Sequence, residues 1–126
     1  MTNSFLHTGL HILEEDLQNF YKDVLNCKTI RSFTVTAEDA FSIFGKKQEV
    51  TVYLVSCCGI ELELFIGERI EARTFGHICF QSTQADEIFE KSNTKGFNTF
   101  VRKKKSGATY FIRDRNNNLF EIKKLM

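Results

Sequence analysis

A chain of 126 residues with 42% hydrophobic and 26% charged residues has the composition of one globular domain, large enough for a core and too small for two independent ones. Its 17 basic and 16 acidic side chains leave a formal charge of +1, which excludes a global field for nucleic acid or an anionic membrane and leaves partner choice to local sites. No apolar run approaches the roughly 20 residues of a membrane span, and the start, MTNSFLHTGLHI, lacks a basic segment, a long apolar segment and a cleavage site, so a soluble cytoplasmic protein is expected.

In chain order, FLHTGLHI (5–12) alternates as a strand. EEDLQNFYKDVLN (14–26) sets Leu17, Phe20, Tyr21, Val24 and Leu25 at helical spacing behind three acids that favour a helix N-terminus. KTIRSFTV (28–35), EVTVYLVSC (49–57) and IELELFI (60–66) are rich in β-branched residues or alternate, with a helical turn expected near AEDAFSIFG. The pattern then restarts. TFGHICFQ (74–81) predicts a strand, and TQADEIFEKSN (83–93) a helix opened by a capping box of Thr83 and Asp86, with Gly96 beyond its end. NTFVRK (98–103), ATYFIRD (108–114) and LFEIKKL (119–125) follow as strands joined by KKSG and RNNN turns. The single domain 1–126 therefore reads as α+β, with two βαβββ units, 5–66 and 74–125, joined by the short charged segment GERIEAR. The four cysteines, Cys27, Cys57, Cys58 and Cys79, form no CxxC pair and are expected to be reduced, buried thiols.

The repeat changes the meaning of one histidine. Alternation puts His77 on a face with Phe75, Cys79 and Gln81, where a lone imidazole usually packs against a carbonyl or water. His7 holds the same place in the first unit, and each unit closes on a strand that carries a glutamate, Glu63 in ELELF and Glu121 in LFEIK. Two imidazoles and two carboxylates suit Zn, Ni, Co, Fe or Mn as divalent ions and leave positions for water or substrate. They lie too far apart in sequence for a local metal loop, so folding must assemble such a site. Glu61 shares the face of Glu63 and is the alternative ligand, though Glu63 is better placed along its strand. Among the remaining polar features, Arg102 opens the basic run VRKKKSG, which reads either as a solvated hairpin or as a clamp for a phosphate or carboxylate. The 13 phenylalanines are chiefly core, with Phe33, Phe65 and Phe100 as candidates to wall a cup between strands.

Over nearly its whole length the chain resembles the vicinal oxygen chelate superfamily, the glyoxalase, bleomycin-resistance and extradiol dioxygenase group. HTGLHI with FYKDVLN is similar to that family's first strand and helix, and YFIRDRNNNLFEI to its closing strand pair. Asn26 stands where the family usually has Gly, and DRNNN replaces DPDGN; asparagine tolerates the left-handed conformation those turns need. The resemblance implies a curved mixed-sheet cup, with His7, Glu63, His77 and Glu121 as the ligands of one divalent metal ion, Zn, Ni or Co. Two His plus two Glu is the ligand set of glyoxalase I. Methylmalonyl-CoA epimerase usually has Gln at the place of Glu63, extradiol dioxygenases use two His and one carboxylate, and metal-free antibiotic-binding relatives lack the set.

By that resemblance the chain is a glyoxalase I-like lyase or isomerase, close to lactoylglutathione lyase, acting on a 2-oxoaldehyde thiol adduct or a related small oxyacid through an enediolate. Glu121 is then the catalytic proton shuttle and Glu63 its counterpart. His11 occupies the place where glutathione-dependent relatives carry an Arg and shares the face of His7, so it is a candidate substrate contact, but a neutral imidazole is a weak anchor for glutathione. The alternative is an antibiotic-binding or resistance protein, and less favoured is a dioxygenase, which normally needs a further pair of units. In that family two βαβββ units make one cup, built either within a chain or across a dimer; short glyoxalases I commonly pair His and Glu of one chain with His and Glu of its partner, so a homodimer is expected.

Overall fold

The structure, a computed structural model, describes residues 2–125; Met1 and Met126, the ends of the expected domain, lie outside the described residues. The first unit comprises β1 (Thr8–Ile12), α1 (Glu14–Asp16) running into a π-helical segment (Leu17–Lys22), β2 (Lys28–Val35), α2 (Ala37–Phe44), β3 (Val50–Cys57) and β4 (Ile60–Ile66). The second comprises β5 (Ile78–Ser82), α3 (Ala85–Thr94), β6 (Asn98–Lys104), β7 (Gly107–Arg113) and β8 (Leu119–Lys124). Two four-stranded mixed sheets result, ordered β1-β4-β3-β2 and β5-β8-β7-β6. In each, the unit's first strand runs parallel to its last, because the intervening helix and hairpins return the chain in the same direction.

Alternation gives each sheet a helix face and an outer face. Leu10, Ile12, Leu62 and Leu64 of the first sheet and Ile112, Phe120 and Ile122 of the second join Phe20, Tyr21, Ile88 and Phe97 in one core shared by both units. Phe20 packs edge-on against Tyr21 and Phe97 at centroid distances of 5.0 and 4.9 Å, an arrangement aromatic quadrupoles favour. The outer faces carry His11, Glu63 and Phe65 on the first sheet, and Cys79, Glu121 and Phe111 on the second, as the strand registers require.

Four local expectations are corrected. The amphipathic segment 14–26 is α-helical for only one turn, then widens to i→i+5 bonding, with the Asp23 amide donating to Gln18 O (2.9 Å) and that of Leu25 to Phe20 O (3.0 Å). The wider turn accommodates adjacent rings, Phe20 and Tyr21, both fully buried, the second of which must also deliver its hydroxyl to Asp114. The strands expected at 5–12 and 74–81 begin only at Thr8 and Ile78, where β4 and β8 run alongside. Each histidine therefore immediately precedes its strand. Thr83 does not cap α3: Gln84 is the cap residue, and Asp86 is instead engaged by Tyr110 and by Lys124, 3.1 Å away. Finally, Cys27 and Cys57 are not free thiols but a disulfide, with Cα atoms 4.4 Å apart where β2 begins beside the end of β3. Cys58 and Cys79 are free and exposed.

Turn chemistry explains how the hairpins close. Asn26 (φ 57°) and Asn117 (φ 66°) occupy the left-handed region that an asparagine can enter at small cost. Thr36 caps α2 by accepting from the Asp39 amide at 3.2 Å.

Candidate functional site

The two sheets present the same pair of side chains at the same register. Gly9 lies opposite Glu63 in β1–β4 and Cys79 opposite Glu121 in β5–β8, so each glutamate faces the residue two beyond a histidine. His7 Nε2 is 3.0 Å from Glu63 Oε1, and His77 Nε2 is 3.2 Å from Glu121 Oε1. Both carboxylates are 19% exposed, and the imidazoles are 42% and 40% exposed, so the pairs share one environment. Glu61 instead faces Ser56 at the other end of its strand and is exposed.

The tautomer of His77 follows from its second contact. Its Nδ1 lies 3.0 Å from the Phe75 carbonyl, which can only accept, so Nδ1 is the donor there and Nε2 is the ring nitrogen that faces Glu121. This orienting bond to a carbonyl is the usual support of a metal-ligating imidazole.

The chemistry of the donors fits a divalent ion. One imidazole and one carboxylate already stand together in each unit, 3.0 and 3.2 Å apart, and these are donor types that would hold such an ion. Among the described residues no three His, Cys, Asp or Glu side chains of the chain gather at one point to hold an ion. Among the described residues the two His–Glu pairs therefore do not join into one cluster.

The residues beside the pairs differ. Next to Glu121, Lys123 Nζ lies 3.8 Å from Oε2, and Cys79 stands opposite on β5; desolvation first, then the charge of Glu121, push its thiol above its ordinary range. A cavity of about 380 Å³ adjoins Glu121 through Phe111, its direct neighbour across β7–β8, and is lined by Phe100, Arg102 and Arg113. Arg102 is drawn onto this face by strand alternation, while Lys103, Lys104 and Lys105 are exposed on the hairpin. Arg113 was not singled out in the sequence; its signal is the spacing to Glu121, visible only once β7 and β8 are in register.

His11 sits in a different place from the histidine pairs. It lines an apolar cleft under α2, and burial, then the charge of Lys46, hold its pKa below the ordinary histidine value. Its carbonyl accepts from Asn116 Nδ2 (2.9 Å) and Asn118 Nδ2 (2.8 Å), tying β1 to the β7–β8 turn. Phe65 walls the same cleft, Phe100 walls the basic cavity, and Phe33 lies under the Arg31 guanidinium at 5.1 Å.

As a sequence, the chain matches no family model and no curated protein. As a structure, it is similar to fosfomycin resistance proteins of the vicinal oxygen chelate superfamily. A mutant FosX from Listeria monocytogenes, complexed with Mn(II) and 1S,2S-dihydroxypropylphosphonic acid, superposes with a TM-score of 0.73 over 100% of this chain and 95% of that one, at 21% identity. The chain has the vicinal oxygen chelate fold. FosX from Mesorhizobium loti matches with a TM-score of 0.69 at 17% identity, covering 98% of this chain and 92% of that one. SMU.1112c matches with a TM-score of 0.66 at 20% identity, covering 97% and 98%. In the vicinal oxygen chelate fold the paired βαβββ units found here are the two modules. Among the described residues, no helix is long and apolar enough to cross a membrane.

Proposed function

We propose that this protein is a divalent-metal-dependent enzyme acting on a small oxyacid anion with two adjacent oxygens, its ion held by His7 and Glu63 of one copy and His77 and Glu121 of a second. The observation that carries this reading is the repeated His–Glu pair, with donor atoms 3.0 and 3.2 Å apart at matching registers. A bound divalent ion would act there as a Lewis acid, polarising both oxygens of a chelating substrate. Mn joins Zn, Ni and Co as a candidate, since the Listeria FosX complexes contain Mn(II).

The chain's own residues supply the rest. Phe75 O holds the His77 ring so that Nε2 faces Glu121, where it would be free to ligate an ion. Glu121, with Lys123 and the Cys79 thiol beside it, moves the proton, and Arg102 and Arg113 orient the anionic group of the substrate in the cavity next to it. A second copy is called for because the pairs do not meet among the described residues of one chain, and because Phe5, Leu6 and Phe75, within two residues of the histidines, are 72%, 72% and 100% exposed.

Two reactions fit this arrangement. The first is the glyoxalase I-like proton transfer between neighbouring carbons of a 2-oxoaldehyde thiol adduct, favoured by the two-His, two-Glu donor set. The second is opening of an epoxide ring on a small phosphonate by water, in which the water oxygen bonds to one ring carbon as its C–O bond breaks and the freed ring oxygen takes up a proton, giving a vicinal diol; it is favoured by the Arg102–Arg113 cavity and by the dihydroxypropylphosphonic acid complexed by the Listeria neighbour. Elemental analysis of protein purified without chelator, followed by assays on methylglyoxal with several thiols and on fosfomycin, tests both. Absence of stoichiometric metal, with no turnover after adding Mn, Zn, Ni or Co, would leave a sequestering protein as the better reading.

A further inference from the structure

The cleft under α2 is unused by the chemistry above, yet it opens on the same face as His7 and Glu63. It has a volume of about 300 Å³ and is lined by Gly9, His11, Phe44, Lys46, Phe65 and Gly67 among others. Gly9 lies opposite Glu63 and His11 opposite Phe65, so its floor begins one same-face step, about 7 Å, along the strands from the His7–Glu63 pair.

Its walls are apolar by construction. Phe44 of α2 stands edge-on to Phe65 with centroids 5.3 Å apart, and remains 57% exposed, an aromatic surface with room to be covered. Two glycines keep the space open. A Cβ on Gly9 would meet the Phe65 ring at 3.3 Å, and one on Gly67 would overlap His11 Nε2. Lys46 supplies a cation at the mouth, and the His11 ring beside it is held toward its neutral form.

We propose that this cleft binds the apolar substituent of the substrate, so that the enzyme prefers oxyacids bearing a branched or aromatic group over those bearing a single methyl. The inference rests on the metal-site reading for the other end of the substrate. The volume lies at the low end for small-molecule pockets, enough for an aryl or branched alkyl group and too small for a tripeptide thiol. Because Gly9 on its floor lies opposite Glu63, a substituent of the chelated molecule can reach it, which favours that occupant over a separate ligand.

Hydroxamates test this, because they present two adjacent oxygens and carry any substituent. Calorimetric titration of the Mn-loaded protein with benzohydroxamate should give a Kd about 30-fold lower than with acetohydroxamate, in line with burial of the ring. Phe44→Ala should cut that preference below about 5-fold while leaving acetohydroxamate unchanged, since the methyl compound does not reach the cleft. Gly9→Val should act alike by filling the floor, and the half-exposed Phe44 serves if Gly9→Val fails to fold. Equal affinities in the unmodified protein, as would follow if a second copy filled the cleft with its own side chain, overturn the inference, as does a preference untouched by Phe44→Ala. If acetohydroxamate binds without dependence on the ion, the metal-site reading fails instead. Binding of phenylacetate to metal-free protein, abolished in Phe44→Ala, would then still support an apolar pocket, and its absence would remove that too.

Discussion

Tyr21 donates its hydroxyl to Asp114 Oδ2 at 2.6 Å, joining the helix of the first unit to the β7–β8 turn of the second across 93 positions of sequence. Asp114 also accepts from the amides of Asn116 and Asn118, each at 2.9 Å, and from Asn118 Nδ2 at 2.8 Å. Tyr21→Phe removes one donor to a buried carboxylate and leaves the ring packed. The expected cost is about 1–3 kcal/mol in urea unfolding, the usual penalty for a lost bond to a buried charged group. An unchanged midpoint would show that the turn does not need this bond to hold the units together.

Asp16 lies in the same junction, fully buried, and accepts from the Arg115 amide at 2.7 Å. Burial is the main cause that raises its pKa to about 6, with Asp114 and Glu15 adding repulsion and the Arg115 amide and guanidinium opposing. The folded state thus binds this proton more tightly than the unfolded chain. The resulting stability is fully present below about pH 4 and is lost as pH rises through about 6, a change on the order of 2–3 kcal/mol. Asp16→Asn keeps an acceptor for Arg115 and has no proton to lose, so it should flatten unfolding free energy against pH in that window. A slope equal to that of the unmodified protein would show that Asp16 is not the titrating group.

How much of this was legible in the sequence depends on whether the signal was local. The β2 segment 28–35 and the β4 segment 60–66 are read from alternation and branching at their observed bounds, because each is paired from end to end, β2 with one bulge at Ile30. The equivalence of His7 with His77 and of Glu63 with Glu121 is equally visible, since a repeat carries register with it. Asp16 and Asp114 were not legible as partners of a buried junction: their contacts, Arg115 and Tyr21, come from opposite ends of the chain. The same holds for Cys27 with Cys57, and for Arg113 beside the Glu121 face, which depend on strand pairing rather than on spacing. The π-helical widening at 17–22 escaped because its apolar spacing also suits an α-helix.

The proposed sharing of one ion between two copies is directly testable. His77→Ala and Glu121→Ala should each lose bound metal while keeping their circular dichroism, because the strands that carry these residues are held by the core. Mixing His7→Ala with His77→Ala subunits should then restore about a quarter of the metal sites, since each mixed dimer joins one intact His7–Glu63 pair to one intact His77–Glu121 pair. No recovery after subunit exchange, or a monomer by sedimentation that binds one ion through all four residues, would eliminate the shared site.

The glutamates should separate ligation from proton transfer. Their surroundings differ: Glu121 has Lys123 Nζ at 3.8 Å and the Cys79 thiol against it, whereas Glu63 faces Gly9 and Leu54. In Glu121→Gln the amide oxygen still coordinates but the group no longer accepts a proton, so much of the metal should stay while turnover falls by about 10² to 10⁴ fold, the usual worth of a positioned base. Glu63→Gln should be milder, because a residue that only ligates tolerates an amide oxygen. Metal content and kcat measured on both variants decide the matter. Equal losses that track metal content alone would deny Glu121 its role as base and keep it as a ligand, whereas a protein that merely sequesters its small molecule would bind it almost equally well with either substitution.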